Sequence, residues 1–224
     1  MERFNFTFLV VLNRTISLND ILPIMTGKIK SVNPTEIVPV IGPLSGGFNA
    51  SFSSGFLPIA KFGDYEIEAG NFSYNRDAVR GIFQVRKLDL TEADKAMEIV
   101  NTLYSVIDQS GIANSIMHNE FNISYIEQGR IMKPVNLNVD KLDSMKAPAQ
   151  FGIRLYEGNL DRTDIRLMPW KEIKLEPSIQ IPSNLVISCV YRTIEKINQD
   201  MINGVLSDIN KLKDAYSIQM KMGE

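Results

Sequence analysis

The sequence predicts an α+β protein in which a largely antiparallel sheet carries two long helices packed on one face. Short segments rich in β-branched and aromatic residues alternate with turn residues, as in an antiparallel meander. Two longer segments, 92–109 and 193–216, place apolar residues at helical spacing. The chain has 224 residues, of which 44% are hydrophobic and 22% charged, so it can bury one substantial core. We therefore expect a single globular domain over residues 1–224.

The predicted strands concentrate Val, Ile, Phe, Tyr and Thr between turn residues. They are 3–12, 62–69, 71–75, 81–88, 120–128, 134–139, 151–157, 163–168 and 184–192. A turn at Gly70-Asn71 is expected to join the second strand to the third. Residues 31–60 carry four prolines and a Gly/Ser-rich stretch, which favours a loop or a glycine-containing hairpin. The apolar run 6–12 is far shorter than the roughly 20 residues that span a bilayer, which indicates a buried strand and no membrane segment.

Helix signals are clearest around the first long helix. Thr91 is placed to act as its N-cap, with an acid three residues on, and Gly111 provides a stop. A shorter helix is predicted after the capping box at residues 17–20, although Pro23 interrupts it. The apolar stripe of the helix over 193–216 is too broad for a coiled-coil seam, so we expect this helix to lie across a sheet. That stripe consists of Ile194, Ile197, Met201, Val205, Ile209 and Leu212.

The two halves of the chain show a faint likeness. Residues 2–8 resemble residues 120–125, and each segment opens a series of strands that ends in a long helix. Two lobes, 1–118 and 119–224, related by an ancient duplication would explain this pattern. Common strand preferences could produce the same likeness, so both explanations stay open.

Several classes of site are excluded by composition. The single cysteine, Cys189, allows no intrachain disulfide, and we expect a cytoplasmic protein with Cys189 buried. The single histidine, His118, excludes sites that need two histidines, and we expect it at the surface or at a cap. The Gly42–Gly47 stretch lacks the Lys-Ser/Thr of a phosphate-binding loop, so a flexible turn is favoured. No cofactor is predicted.

Asp64, Glu66 and Glu68 are the candidate metal ligands of the sequence. If residues 64–68 form a strand, these carboxylates lie on one face about 7 Å apart, where they could hold a divalent cation. Such a ladder is more often the solvated side of an edge strand, where charge discourages unwanted pairing. We favour that interpretation and predict no metal site.

Arg154, Tyr156 and Arg166 are the best candidates for ligand or partner binding. They alternate with apolar residues in two predicted strands, so all three can lie on the sheet face opposite the core. Guanidinium groups beside an aromatic ring suit phosphate, carboxylate or stacked bases. The alternative is a solvated face whose arginines pair with local acids. Trp170, expected in a turn, is added as a candidate interface anchor, although a lone tryptophan more often closes the edge of a core.

These features favour a non-enzymatic binding or assembly subunit that acts through a sheet face on a protein partner or in a homo-oligomer. The net charge of −2 weakens, without removing, the alternative of a nucleic-acid-associated accessory protein that uses the Arg/Tyr face. A carboxylate-dependent metalloenzyme is the third hypothesis.

Overall fold

The computed structural model describes residues 3–25, 37–39, 55–73, 79–128, 153–157, 169–177 and 184–221. Within these residues, nine strands form one antiparallel sheet, which confirms the predicted α+β class. The strands are β1 (Phe4–Leu12), β2 (Ile37–Pro39), β3 (Gly55–Phe62), β4 (Tyr65–Ser73), β5 (Val79–Leu90), β6 (Ile116–Gln128), β7 (Ile153–Glu157), β8 (Trp170–Pro177) and β9 (Asn184–Thr193).

Helices form a layer against one face of this sheet. In the described part of the chain they are α1 (Leu18–Met25), α2 (Ala93–Gln109) and α3 (Gln199–Lys221), with a short 3-10 turn at Ala113–Ser115. Buried residues of all three helices join those of the strands in one hydrophobic cluster. No helix in the described ranges is long and apolar enough to cross a membrane.

The strand order, β2-β3-β4-β5-β1-β6-β9-β8-β7, has the same pattern on either side of its centre. The first strand of each half, β1 or β6, lies at the centre, and the later strands follow outward in reverse chain order. Phe6 pairs with Ile123 where the two halves meet. This is the order that two related lobes would have, and their origin by duplication stays a prediction. The boundary predicted between residues 118 and 119 lies inside β6.

Successive side chains of the central strands point alternately to the two faces of the sheet. Phe6, Phe8 and Phe121 are fully buried beneath the helices, and the rings of Phe8 and of Tyr104 in α2 pack in a T-shaped arrangement with centroids 5.6 Å apart. Asn5, Thr7 and Leu9, which alternate with Phe6 and Phe8 along β1, are half-buried and point to the opposite side. We call that side, opposite the helix layer, the outer face.

Strand boundaries near β4 differ from the predicted ones. The predicted turn at Gly70-Asn71 is wrong, because β4 continues through both residues and pairs with β3 and β5 along its length. The turn lies earlier, at Gly63-Asp64, where Gly63 has a φ of 54°. Residues 31–60 were expected to form a loop or a glycine-containing hairpin, and within them β2 and most of β3 pair as antiparallel strands. A register shift beside Pro58 accommodates its ring within β3.

Both long helices start later than predicted. Glu92, and not Thr91, occupies the N-cap of α2, while Gly111 has a φ of 74° and ends the helix as expected. β9 continues through Thr193, so α3 begins at Gln199, and Asn198 accepts a hydrogen bond from Met201 N at 3.0 Å. Ile194 was predicted in the buried stripe but is 59% exposed in the turn before α3.

The other residues of the apolar stripe predicted for α3 are buried or half-buried. Val205 and Ile209 are buried in the common core, Ile197 is buried just before the helix, and Leu212 is half-buried. Ile202, beside the predicted stripe, is buried as well. Met201 is half-buried at the edge.

One of the two hydrogen bonds of the predicted capping box before α1 is observed, the one that Asp20 accepts from the backbone of Ser17. The carboxylate of Asp20 accepts hydrogen bonds from Ser17 N at 2.7 Å and from Ser17 Oγ at 2.9 Å. α1 continues past Pro23 to Met25. Four sequence predictions lie outside the described residues: the strands 134–139 and 163–168, the Gly42–Gly47 turn, and Arg166.

Candidate functional site

The outer face of β7, β8 and β9 gathers aromatic and charged side chains. Arg154 of β7 lies opposite Lys174 of β8, and Tyr156 lies opposite Glu172. Trp170 of β8 lies opposite Arg192 of β9. We call this group the β7–β9 cluster; it comprises Glu120, Arg154, Tyr156, Trp170, Glu172, Lys174, Glu176 and Arg192.

Trp170 lies at the start of β8, so its predicted position in a turn is wrong. The strand was missed because Pro169 precedes it, Pro177 is its last residue, and half of its residues are charged. The side chain is only 4% exposed. The Tyr156 ring lies 6.4 Å from the Trp170 ring, and the Arg192 guanidinium carbon lies 5.6 Å from the Trp170 centroid. Trp170 is therefore the buried aromatic ring of the cluster, in contact with Tyr156 and Arg192, while Tyr156 is 39% exposed.

Arg192 and Glu120 form a partly buried ion pair between β9 and β6. Arg192 Nε donates to Glu120 Oε2 at 2.7 Å, and Nη2 donates to the same oxygen. The two side chains are 13% and 18% exposed. This pair fixes the guanidinium plane over the Trp170 ring and neutralises both charges.

Arg154 lies on the accessible side of the same cluster. Its Nη2 is 3.1 Å from Glu176 Oε1, and its Nη1 is 4.0 Å from the buried Glu172 carboxylate. The pKa of Arg154 is raised, first by a hydrogen bond with Tyr156 and then by Glu176. Its side chain is 52% exposed. Arg154 and Tyr156 thus share the outer face, as predicted from alternation.

Glu172 is the least exposed charged group of the cluster, at 1%. Lys174 Nζ lies 3.5 Å from its carboxylate, and Arg154 flanks it on the other side. The cluster holds three cations and three carboxylates, so its formal charges cancel. The sequence did not predict that Glu120, Glu172 and Arg192 belong to this cluster, because their place in it depends on the register of β8.

An uncharged strip continues the outer face toward the centre of the sheet. Its residues are half-buried and lie on β1, β6 and β9, next to the Arg192–Glu120 pair. We call it the central strip; it comprises Asn5, Thr7, Leu9, Asn122, Ser124, Val186, Ser188 and Val190. At its end, Ile126 is 60% exposed.

No family model, curated protein or solved structure matches this chain. Function has therefore to be inferred from the geometry of its surfaces.

The predicted ladder of three carboxylates does not form on one strand. Asp64 belongs to the turn between β3 and β4, whereas Glu66 and Glu68 lie on β4. Glu68 accepts a hydrogen bond from Gln84 Nε2 at 2.7 Å and pairs with Arg86 Nε at 2.8 Å. Within the described ranges, no group of three His, Cys, Asp or Glu side chains is placed to hold a metal ion.

His118 was expected at the surface or at a cap, which is wrong. It lies within β6, is fully buried and pairs with Val11 of β1. Burial, and then the positive charge of Arg192, lower the pKa of His118 to about 3, so the imidazole is neutral. Cys189 is fully buried, as predicted, and burial raises its pKa to about 12. Neither group is accessible for nucleophilic or acid–base chemistry.

Proposed function

We propose that this chain is a cytoplasmic binding or assembly subunit that contacts a protein partner through its outer face. The β7–β9 cluster carries the proposal. Tyrosine, tryptophan and arginine are the residues that dominate binding energy at protein interfaces. Here Tyr156 and Arg154 are accessible, the Tyr156 ring lies beside the buried Trp170 ring, and the Arg192 guanidinium lies over the Trp170 ring. The cytoplasm suits a chain whose single cysteine is a buried thiol.

The charge of the cluster favours a protein over a nucleic acid. Nucleic-acid affinity depends on cations that neutralise phosphates. Arg154, Lys174 and Arg192 each contact a carboxylate of the cluster instead. Single-stranded nucleic acids also bind by stacking on successive exposed aromatic rings, whereas of the two rings of the cluster only Tyr156 is exposed and Trp170 is buried.

The central strip supports the same conclusion. Protein interfaces have a core that is depleted of charge and a polar rim around it. The strip is uncharged and half-buried, and the neutral β7–β9 cluster lies along one side of it. A partner that covers the strip would therefore desolvate few charges while it contacts Tyr156 and Arg154 at the edge.

Quantitative co-purification from cells that naturally make the protein tests this proposal. Tagged wild type is compared with an Arg154→Ala/Tyr156→Ala double variant and with Leu22→Ala, an exposed control on α1. We expect one polypeptide to be recovered with wild type and control, and to be reduced about tenfold or more with the double variant. Equal recovery in all three samples would overturn the proposal. Recovery of nucleic acid that is lost with the double variant and at high salt would support the nucleic-acid alternative instead.

A further inference from the structure

The strand β7 forms one edge of the sheet. Within the described ranges the strand order ends at β7, which pairs along its whole length with β8. An edge strand presents backbone N–H and C=O groups to which another strand can bind, so natural proteins usually protect such edges. Binding at this edge would leave the outer face accessible, so it does not depend on the proposed function.

The two ends of the strand order differ in their protection. At the other end, β2 has three residues and finishes at Pro39, and both short length and proline discourage pairing with another chain. β7 has five residues, contains no proline and pairs with β8 without a register shift. β7 therefore keeps the regular geometry that an added strand needs.

Exposed apolar surface lies on both faces of β7. Leu155 is 49% exposed, and its neighbour Tyr156 is exposed as well. Leu155 lies opposite Ile173 of β8, which is buried in the core, so Leu155 points to the helix side and Tyr156 points to the outer face. A strand added at this edge would cover part of both side chains, which favours its binding.

The charges of β7 do not oppose pairing with a second copy. Exposed charge is a common protection of edge strands. Here, however, Arg154 pairs with Glu176, and Glu157 pairs with Lys171. The positive charge of Arg154 and the negative charge of Glu157 also cancel within the strand. Two copies of β7 therefore bring no excess charge of one sign together.

The sequence of β7 is complementary to itself in the antiparallel direction. When Leu155 is placed opposite Leu155 of a second copy, all five residues pair, and Arg154 lies opposite Tyr156 of that copy. Residues opposite each other share a face, so leucine meets leucine on the helix side and a guanidinium meets an aromatic ring on the outer face. A two-fold axis at Tyr156 instead would leave only residues 155–157 paired.

We propose that two copies of this chain associate through β7, with antiparallel strands and Leu155 at the two-fold axis. A symmetric contact of this kind closes on itself, so it produces a dimer and not an open-ended fibre. The two sheets become one continuous sheet, in which the outer faces of both copies lie on the same side. The β7–β9 clusters of the two copies are then adjacent.

Disulfide crosslinking of the purified chain tests the register. Cys189 is the single native cysteine and is fully buried, so one new cysteine reports on its own position. Leu155→Cys should give a disulfide-linked dimer under mild oxidation, because opposite residues of antiparallel strands have Cα atoms about 4.5–5.5 Å apart, within disulfide range.

Glu157→Cys is the matched control, at an exposed position of the same strand and the same face. In the proposed register its two copies lie about 14 Å apart, four residues at about 3.4 Å each, which is beyond disulfide range. We expect it to crosslink at least about tenfold more slowly than Leu155→Cys. Equal rates at the two positions, or no dimer from Leu155→Cys, would overturn the proposal.

Analytical ultracentrifugation tests association without a crosslink. Wild type should show a reversible monomer–dimer equilibrium at about micromolar concentrations. Leu155→Glu places two like charges opposite each other at the axis, so the dissociation constant of the dimer should rise about tenfold or more. Leu22→Glu, at an exposed leucine of α1, is the control and should associate as wild type does. A monomeric wild type at all concentrations, or unchanged association of Leu155→Glu, would contradict the proposal.

Discussion

The side-chain amide of Asn71 holds the backbone of Ile16 through a reciprocal pair of hydrogen bonds. Ile16 N donates to Asn71 Oδ1 at 2.7 Å, and Asn71 Nδ2 donates to Ile16 O at 2.9 Å. Both residues are buried. The amide offers one donor side and one acceptor side, as a peptide group does, so β4 fixes the segment between β1 and α1 as an added strand would.

Replacement of Asn71 by Leu should therefore be costly. It removes the partners of two buried backbone groups, and we expect the free energy of unfolding to fall by about 2–4 kcal/mol. Urea denaturation measures this loss. The matched control is Asn210→Leu at an exposed position of α3, which should change stability by no more than about 0.5 kcal/mol. A similarly small effect at Asn71 would contradict the structural role of its amide.

Two glycines should respond to alanine in opposite directions. A Cβ at Gly81 would lie 2.6 Å from Ile16 Cγ1 and 2.9 Å from Arg14 O, so Gly81→Ala should destabilise by about 1–3 kcal/mol. A Cβ at Gly204 meets open space within a helix, so Gly204→Ala should stabilise by about 0.5–1 kcal/mol. Thermal and urea denaturation compare the two. The same sign of change at both positions would argue against the packing described here.

Buried His118 should make the protein sensitive to mild acid. Its pKa is about 3 in the folded chain and about 6.5 when exposed, so below pH 6.5 the unfolded state takes up a proton that the folded state excludes. Stability should therefore fall as the pH is lowered, by about 2 kcal/mol between pH 7 and pH 5. Urea titrations at both pH values, repeated on His118→Gln, measure the effect. An equal loss in the variant would assign the sensitivity to other groups.

Cys189 should be protected until the sheet opens. Its thiol is fully buried and its raised pKa of about 12 leaves little thiolate near pH 8. We expect reaction with a disulfide reagent to be about a thousandfold slower than for a free thiol, and to become fast in urea. Rapid modification of the folded protein would contradict the packing of β9 against the helix layer.

Helix α2 was predictable because its signals are local. Apolar spacing marks the body of the helix, and Gly111 supplies the left-handed residue that ends it. The start of α3 was misplaced because Ile194 continues the helical spacing, although pairing with β6 keeps the chain extended through Thr193. Strand pairing of this kind depends on segments that are far apart in the sequence, so a short stretch of sequence does not predict it.

In the candidate site, too, the sequence predicted what depends on local pattern and missed what depends on strand pairing. Alternation alone places Arg154 and Tyr156 on the face opposite the core. Trp170 and Glu172 join them because β8 pairs with both β7 and β9, and the pair of Arg192 with Glu120 depends on the register of β9 against β6. These relationships are set by tertiary register, which a single sequence does not specify.

Site-specific photo-crosslinking tests the central claim most directly, because it reports what touches the outer face. A photoreactive phenylalanine analogue replaces Tyr156 in cells that naturally make the protein, and the same analogue replaces Leu22 of α1 as the control. We expect one defined polypeptide, either a different protein or a second copy, to be crosslinked from position 156 and not from position 22. The absence of a polypeptide adduct at position 156, or the same adducts from both positions, would contradict the claim that this face binds a protein partner.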